Sequence, residues 1–436
     1  MTLLPTTRRA MLAAAGIGLS TAALAACSSD EKKAGPAEGK GPAPKLDADK
    51  KVTITFMHAM ASGTQKPALE EIVKDFSQKF PNITVTLEEQ PDYGTLQTKT
   101  KAQVGAGSAP TIAQAYENWA AEYAESQVIE PLDRFITDED TTGMYEGVVK
   151  NLQLPDGKTW MWPFNKSVVV VYRNNEMVPE APATWDEFAT IAKEVSKDGV
   201  VALSIDPGSA KGPAGGTALF EILSEAFGGP VFAQDGTPQF DSEGPVAALK
   251  YLVDLKKANA LAIGTGYPGQ EALGAQKGAF DVATVASFPF NEKAVGGKFE
   301  MGVSPLPEGP KGVANQLAGT NLVMFTAADD DQKAAAWEFM KFVSSPEQQS
   351  KWAAATGYLP VVKEAFDLEP MKSTAAERPW TKEVASQLDT ASALPGVKSV
   401  MEATGLLAIA LQSALQGSAE PEAALKDAQE KASKIK

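Results

Sequence analysis

The sequence predicts an α/β fold in which helices cover a parallel sheet, and three consecutive segments carry that expectation. Val52-Thr53-Ile54-Thr55-Phe56 is an apolar, β-branched run suited to a strand. Leu69, Ile72, Val73, Phe76 and Phe80 then recur at the spacing that lays one apolar stripe along a helix. Ile83-Thr84-Val85-Thr86-Leu87 supplies a second strand, and two strands joined through a helix run parallel.

The later elements follow the same alternation. A helix through Leu96 and Val104 is stopped by Gly105, Gly107 and Pro110, after which Thr111-Ile112-Ala113-Gln114-Ala115-Tyr116 reads as a short strand. Val168-Val169-Val170-Val171-Tyr172 is apolar throughout, as a buried strand requires. Thr184 and Glu187 stand three residues apart at the start of a helix, the spacing of a reciprocal capping box. Val282-Ala283-Thr284-Val285 and Leu322-Val323-Met324-Phe325 read as further strands, and Trp337, Met340 and Val343 mark a helical core face. No short-period repeat occurs.

The N-terminal region has a different character. Arg8 and Arg9 precede a nearly uncharged stretch that ends in Leu24-Ala25-Ala26-Cys27. That pattern is expected to be an export signal over residues 1–26, with the paired arginines resembling a twin-arginine signal and Cys27 lipidated as the first residue of the mature chain. The apolar stretch is shorter than the about 20 residues that span a bilayer. Residues 27–50 are expected to form a lipidated, disordered tether, since hardly a large apolar side chain is available there to offset ordering. Roughly 23 flexible residues span about 26 Å. Cys27 is the only cysteine, so packing must stabilise the fold without disulfides.

Composition excludes several classes of function. The 436 residues are 44% hydrophobic and 22% charged, enough for a sizeable core in more than one domain. The net charge of −15 becomes two units more negative when Arg8 and Arg9 leave with the signal, which argues against nucleic acid as a partner. The single histidine, His58, rules out a multi-histidine zinc site, and no phosphate-cradling or dinucleotide-binding glycine loop is present. His58 follows the first strand, at the sheet edge where α/β folds bind ligands. Two readings are open for it, a ligand contact and a packed imidazole. No cofactor, metal or catalytic constellation is expected.

Several strings resemble the extracellular solute-binding proteins that serve ABC importers, in their maltose-binding-like branch. They are Phe56-Met57-His58-Ala59-Met60, Gly107-Ser108-Ala109-Pro110 leading to Gln114-Ala115-Tyr116-Glu117, Pro163-Phe164-Asn165, Ala318-Gly319-Thr320-Asn321-Leu322 and Thr356-Gly357-Tyr358-Leu359-Pro360. The first and last, with the Gln-x-Tyr-Glu element, resemble the glycerol-phosphate-binding group within that family. The resemblance implies a two-lobe periplasmic-binding-protein-like α/β fold with an interlobe ligand cleft and hinge crossovers. Its first lobe would be residues 51–164 plus 306–357 and its second 165–305 plus 358–436. Partners implied are a small polyol-phosphate or sugar ligand and the transmembrane permease subunits. The chain would act as a monomer outside the cytoplasm, on the outer face of the cell membrane, touching that membrane only through its lipid.

The resemblance also implies ligand contacts. Tyr93 would meet the ligand with its hydroxyl, Tyr358 would close over it from the crossover, and Glu117 would accept from polyol hydroxyls, since an ionised carboxylate is acceptor-only. Ser167 and Ser287 would donate, and Gly319 would let backbone N–H groups approach a phosphate. Lys398 stands where the group places a phosphate-binding arginine, and lysine lacks the bidentate fork. Lys166 is a second candidate cation. The glycine-rich stretch from Pro207-Gly208 to Gly215-Gly216 replaces cleft tryptophans of the group, which would admit a bulkier head group. Glycerol-3-phosphate or a glycerophosphodiester is therefore the expected ligand. The alternatives are an oligosaccharide, held by aromatic, carboxylate and amide contacts without a cation, and a secreted carbohydrate-active enzyme that turns its ligand over.

Overall fold

The computed structural model describes residues 41–209 and 213–435. Among them, fifteen α-helices accompany nine strands: β1 (Val52–His58), β2 (Ile83–Glu89), β3 (Ile112–Ala115), β4 (Trp162–Asn174), β5 (Leu203–Ile205), β6 (Leu261–Ile263), β7 (Phe280–Thr284), β8 (Met301–Ser304) and β9 (Leu317–Met324). The strand order is β2-β1-β3-β9-β4-β7-β5-β6, with β8 also pairing β4.

The β-α-β start forms as its periodicity predicts. Val52 through His58 pair in parallel with Ile83 through Glu89, and the intervening helix Gln65–Lys79 buries Leu69, Ile72 and Phe76. β3 joins the free side of β1, also in parallel. Farther on, the sheet is mixed instead of wholly parallel: β9 runs antiparallel to β3, and β4 antiparallel to β9. β4 carries the chain out of the first half and β9 brings it back, so the two lie head to tail.

β4 is the axis of the molecule. Its residues from Trp162 to Val168 pair with β9, whereas those from Val169 to Asn174 pair with β7 and β8. Val168, Val170 and Tyr172 enter one hydrophobic core, and Val169 and Val171 enter another. This two-sided burial is why the run is apolar at every position.

Three cores result. Ile54 and Phe56 of β1 pack with Phe76, Phe339 and Trp352. On the opposite face of the same sheet, Met57, Ala113, Ala115 and Val323 pack with Trp119 and Tyr123. The third core gathers the helices Gly215–Phe227, Glu243–Lys257, Lys398–Leu415 and Pro421–Ala432 around β5 and β7. After Tyr358 the chain serves two cores: residues between 358 and 391 pack in the first, and those between 400 and 432 in the third.

Thr184 caps the helix Trp185–Val195 by accepting from Glu187 N at 3.1 Å, and the Glu187 carboxylate accepts from Ala183 N at 2.8 Å, one residue before the cap. Residues 41–50, expected as the end of the tether, instead lie on the folded body. Ala43 and Leu46 pack against the first core, and Lys50 pairs with Asp331 at 2.6 Å. Leu46 is the large apolar side chain that anchors this stretch. The signal segment and Cys27 lie outside the described residues. Among those that are described, no helix is long and apolar enough to cross a membrane.

Candidate ligand-binding cleft

Tyr93, Glu117, Ser167, Gly319 and Tyr358 come from five separate stretches of chain and line one cavity of about 500 Å³. Each is placed by local structure. Tyr93 opens the helix Tyr93–Gly105, whose N-cap Asp92 accepts from Thr95 N at 2.7 Å. Glu117 opens the helix Glu117–Glu125 directly beyond β3, where the helix dipole favours a carboxylate. Tyr358 follows Gly357, which ends the helix Pro346–Thr356 with a left-handed φ of 79°. Its ring stacks on Trp352 at 5.8 Å.

Gly319 lines the cleft, but the backbone supplies its reason to be glycine. It has φ 92°, and a Cβ would collide with the Asn165 carbonyl oxygen of β4. The close approach is that of strand to strand at the irregularity between Pro163 and Asn165.

Beneath the cleft lies a polar layer. Asn165 Nδ2 donates to the Tyr93 hydroxyl at 3.1 Å, while its Oδ1 accepts from Gln114 Nε2 at 3.1 Å and from the Thr320 hydroxyl at 2.6 Å. Lys166 is wholly buried. Its ammonium donates to Asn151 Oδ1 at 2.6 Å and lies 3.4 Å from Glu117 Oε1, which also accepts from Asn321 Nδ2 at 3.1 Å. Burial drives the Lys166 pKa down, against the opposing pull of Glu117. Burial likewise raises the Tyr93, Tyr116 and Tyr358 phenols above their ordinary value, so they remain hydroxyl donors.

His58 settles as a packed imidazole. It is 1% exposed, its Nδ1 accepts from Met60 N at 3.2 Å, its ring packs on Phe56, and burial lowers its pKa to about 4.

Two expected residues stand apart from the cavity lining. Ser287 is half-buried, 3.4 Å from the Thr284 hydroxyl, and it is Thr284 and Ala286 that line the cavity. Lys398 begins the helix Lys398–Leu415 with its side chain 63% exposed, 3.9 Å from Glu125. Sequence reasoning missed Tyr116 and Trp119, whose rings meet edge to face at 5.0 Å on the cleft wall, together with Gln316, Met401 and Thr404. Tyr116 stands inside the string that singled out Glu117, and Trp119 lies two residues beyond its end. Among the described residues, no group of histidine, cysteine, aspartate and glutamate side chains is placed to hold a metal ion.

Residues 71–379 match the family described as bacterial extracellular solute-binding protein. The chain belongs to this family. Its relatives include the sn-glycerol-3-phosphate-binding periplasmic protein UgpB of Escherichia coli (strain K12), 24% identical over 80% of this chain and 83% of that one. Similar solved structures include UgpB from Mycobacterium tuberculosis in complex with glycerophosphocholine, with a TM-score of 0.78, 20% identity and coverage of 88% and 98% of the two chains. The cyclic alpha-maltosyl-1,6-maltose binding protein from Arthrobacter globiformis has a TM-score of 0.76, 21% identity and coverage of 87% and 97%. These likenesses establish the periplasmic-binding-protein-like fold. The relatives are binding proteins, not enzymes, and so is this solute-binding chain.

Proposed function

We propose that this protein captures a neutral, polyhydroxylated ligand of the oligosaccharide class and delivers it to the permease of an ABC importer. One observation carries the choice of ligand. The cleft is walled by Tyr93, Tyr116, Trp119 and Tyr358, its one carboxylate is Glu117, and no lysine or arginine lines it among the described residues. Aromatic faces with a few convergent polar groups suit sugar rings. The cavity also adjoins spaces of about 540 and 610 Å³, the first through Pro213 and the second through Glu117, Leu394 and Pro395, which gives an extended ligand room.

This reading displaces the polyol phosphate expected from the sequence. Lys398 faces solvent, and the Lys166 ammonium is engaged by Asn151 and Glu117. The proposal keeps the two lobes with their crossovers, closure around one ligand per chain, the monomeric state, and a lipid on Cys27 holding the protein at the outer face of the membrane. Calorimetry with malto-, xylo- and trehalose-type sugars against glycerol-3-phosphate and glycerophosphocholine tests the ligand class. Ligand at 100 times its Kd should add about 2.7 kcal/mol of stability. Tight binding of a phosphate ester with indifference to every neutral sugar would reverse the choice. Cys27→Ala should release the protein from membranes, and unchanged retention would remove the anchor.

A further inference from the structure

The compartment of about 540 Å³, joined to the main cleft at Pro213, sits at the carboxyl ends of β5 and β6. Those strands run parallel, and open α/β sheets receive ligands at such ends. Asp206 and Pro207 follow β5 into the lining, and Gly264 and Thr265 follow β6. A further wall comes from the helix Lys398–Leu415 and its C-cap Gln416. Steps of four along a helix keep to one face: Val400 and Thr404 line the main cleft, Gln412 and Gln416 line the compartment, and the small, buried Ala408 lies between them. Thr404 and Gln412 are about 12 Å apart along the helix axis, farther than one sugar ring reaches.

Beside this compartment stands an aromatic ring that the fold does not use. Tyr267 is 74% exposed and enters none of the three cores. Its place is nevertheless fixed. Gly266, at φ 75°, donates its backbone N–H to Asp206 Oδ2 at 2.7 Å, Gly264 donates to the Ile205 carbonyl at 2.9 Å, and Pro268 begins the helix Pro268–Gly274 directly afterwards. The ring is also near the main cleft: the Tyr116 and Tyr358 phenols, raised chiefly by burial, are raised further by Tyr267. Asp206 keeps acceptor capacity in hand. Each of its oxygens takes one backbone N–H, from Gly208 at 2.9 Å and from Gly266 at 2.7 Å, and a carboxylate offers about four lone-pair sites. An exposed ring held beside a carboxylate and two amides is suited to a sugar, whose C–H face stacks while its hydroxyls donate.

We propose that this compartment is a distal subsite for a further sugar ring of the ligand, stacked on Tyr267 and hydrogen-bonded through its hydroxyls to Asp206 and Gln412. The inference rests on the main cleft being a site for neutral oligosaccharides, and it adds a length requirement to that reading. A disaccharide is held in the main cleft alone, whereas a longer chain passes Pro213 and gains the second set of contacts. Because Asp206 pins the loop that carries Tyr267, the ring is in place before the ligand arrives, and little of the gain is lost to ordering.

The probes are maltose, maltotetraose, xylobiose and xylotetraose, titrated into the intact protein by calorimetry. At least one tetrasaccharide should bind about tenfold or more tightly than its own disaccharide. Tyr267→Ala should bring that ratio within about twofold of unity, Tyr267→Phe should retain it because the ring remains, and Gln412→Ala should reduce it in part. The Tyr267→Ala protein should melt as the native protein does, since the ring enters no core, so a lost ratio is lost recognition. Crystals grown with the tetrasaccharide should show a sugar ring on Tyr267. Equal affinity for disaccharide and tetrasaccharide in the native protein, a ratio that survives Tyr267→Ala, or no sugar ring in the compartment would overturn the subsite and leave the main-cleft reading standing. Failure of every neutral sugar to bind would overturn that reading and the subsite with it, so binding of the disaccharides tells the two failures apart.

Discussion

Glu117 and Lys166 form an ion pair across the floor of the cleft, 3.4 Å apart, with the ammonium fully enclosed and the carboxylate 15% exposed. The pair fixes the Glu117 carboxylate in place at the cleft. Asn151 and Asn321 complete it, so the carboxylate is presented to the ligand already oriented.

Removing one partner should therefore be worse than removing both. Glu117→Gln is expected to cost about 3–5 kcal/mol of folding stability, since it leaves a buried ammonium without its counter-charge. The double variant Lys166→Met with Glu117→Gln should regain at least half of that loss. A double-mutant cycle by urea unfolding measures the coupling, and additive losses would show the pair to be energetically independent.

The tyrosine hydroxyls should matter for ligand more than for fold. Tyr358→Phe keeps the ring stacked on Trp352 and removes one donor from the cleft. Ligand affinity should fall by about 1–3 kcal/mol. Calorimetry reads the affinity, and a thermal melt confirms that the core is intact.

Lys398→Gln is expected to change neither property. The side chain is in solvent beside Glu125, and exposed substitutions of this kind usually shift stability by less than about 0.5 kcal/mol. Affinity for any ligand should stay within about twofold by the same reasoning. A selective loss of phosphate-ester binding in this variant would restore the polyol-phosphate reading.

Stability should fall as pH rises from about 6.5 to 8. Glu221 keeps its proton in the fold up to about 8, whereas the unfolded chain releases it near the ordinary 4.5, so the folded state binds the extra proton and loses that advantage on deprotonation. Asp281, raised to about 6 by burial, acts in the same sense at lower pH. His58, lowered to about 4, acts in the opposite sense and is neutral in both states well above 6.5. Of these three groups Glu221 thus governs the upper window, with a slope of at most about 1.4 kcal/mol per pH unit. Denaturant unfolding at several pH values should show the slope in the native protein and its flattening in Glu221→Gln.

What could be read from the residues was local. The β-α-β start, the capping role of Thr184 and the burial of residues 168–172 all follow from spacing within a few turns or strand steps. The antiparallel course of β4 and β9 does not, because it depends on where distant segments cross between halves. The same divide runs through the cleft. Glu117 and Tyr358 stood out through short strings, yet nothing near Lys166 in sequence reveals Asn151 and Asn321, the partners that enclose its charge. Lys398, expected at the ligand, has its side chain in solvent beside Glu125, and a basic residue in a loop string carries no record of which way its helix faces.

The thirteen residues of β4 also bear on how the protein comes apart. One backbone segment is hydrogen-bonded into the pairing of both halves, and its alternate side chains are shared between their cores. Neither half can melt without stripping the other of a central strand. A calorimetric scan should accordingly show a single cooperative transition, its van't Hoff and measured enthalpies in agreement, in a chain long enough to be expected to melt in two stages. The fold is thereby spared an intermediate in which one half stands folded and the other exposes its interior.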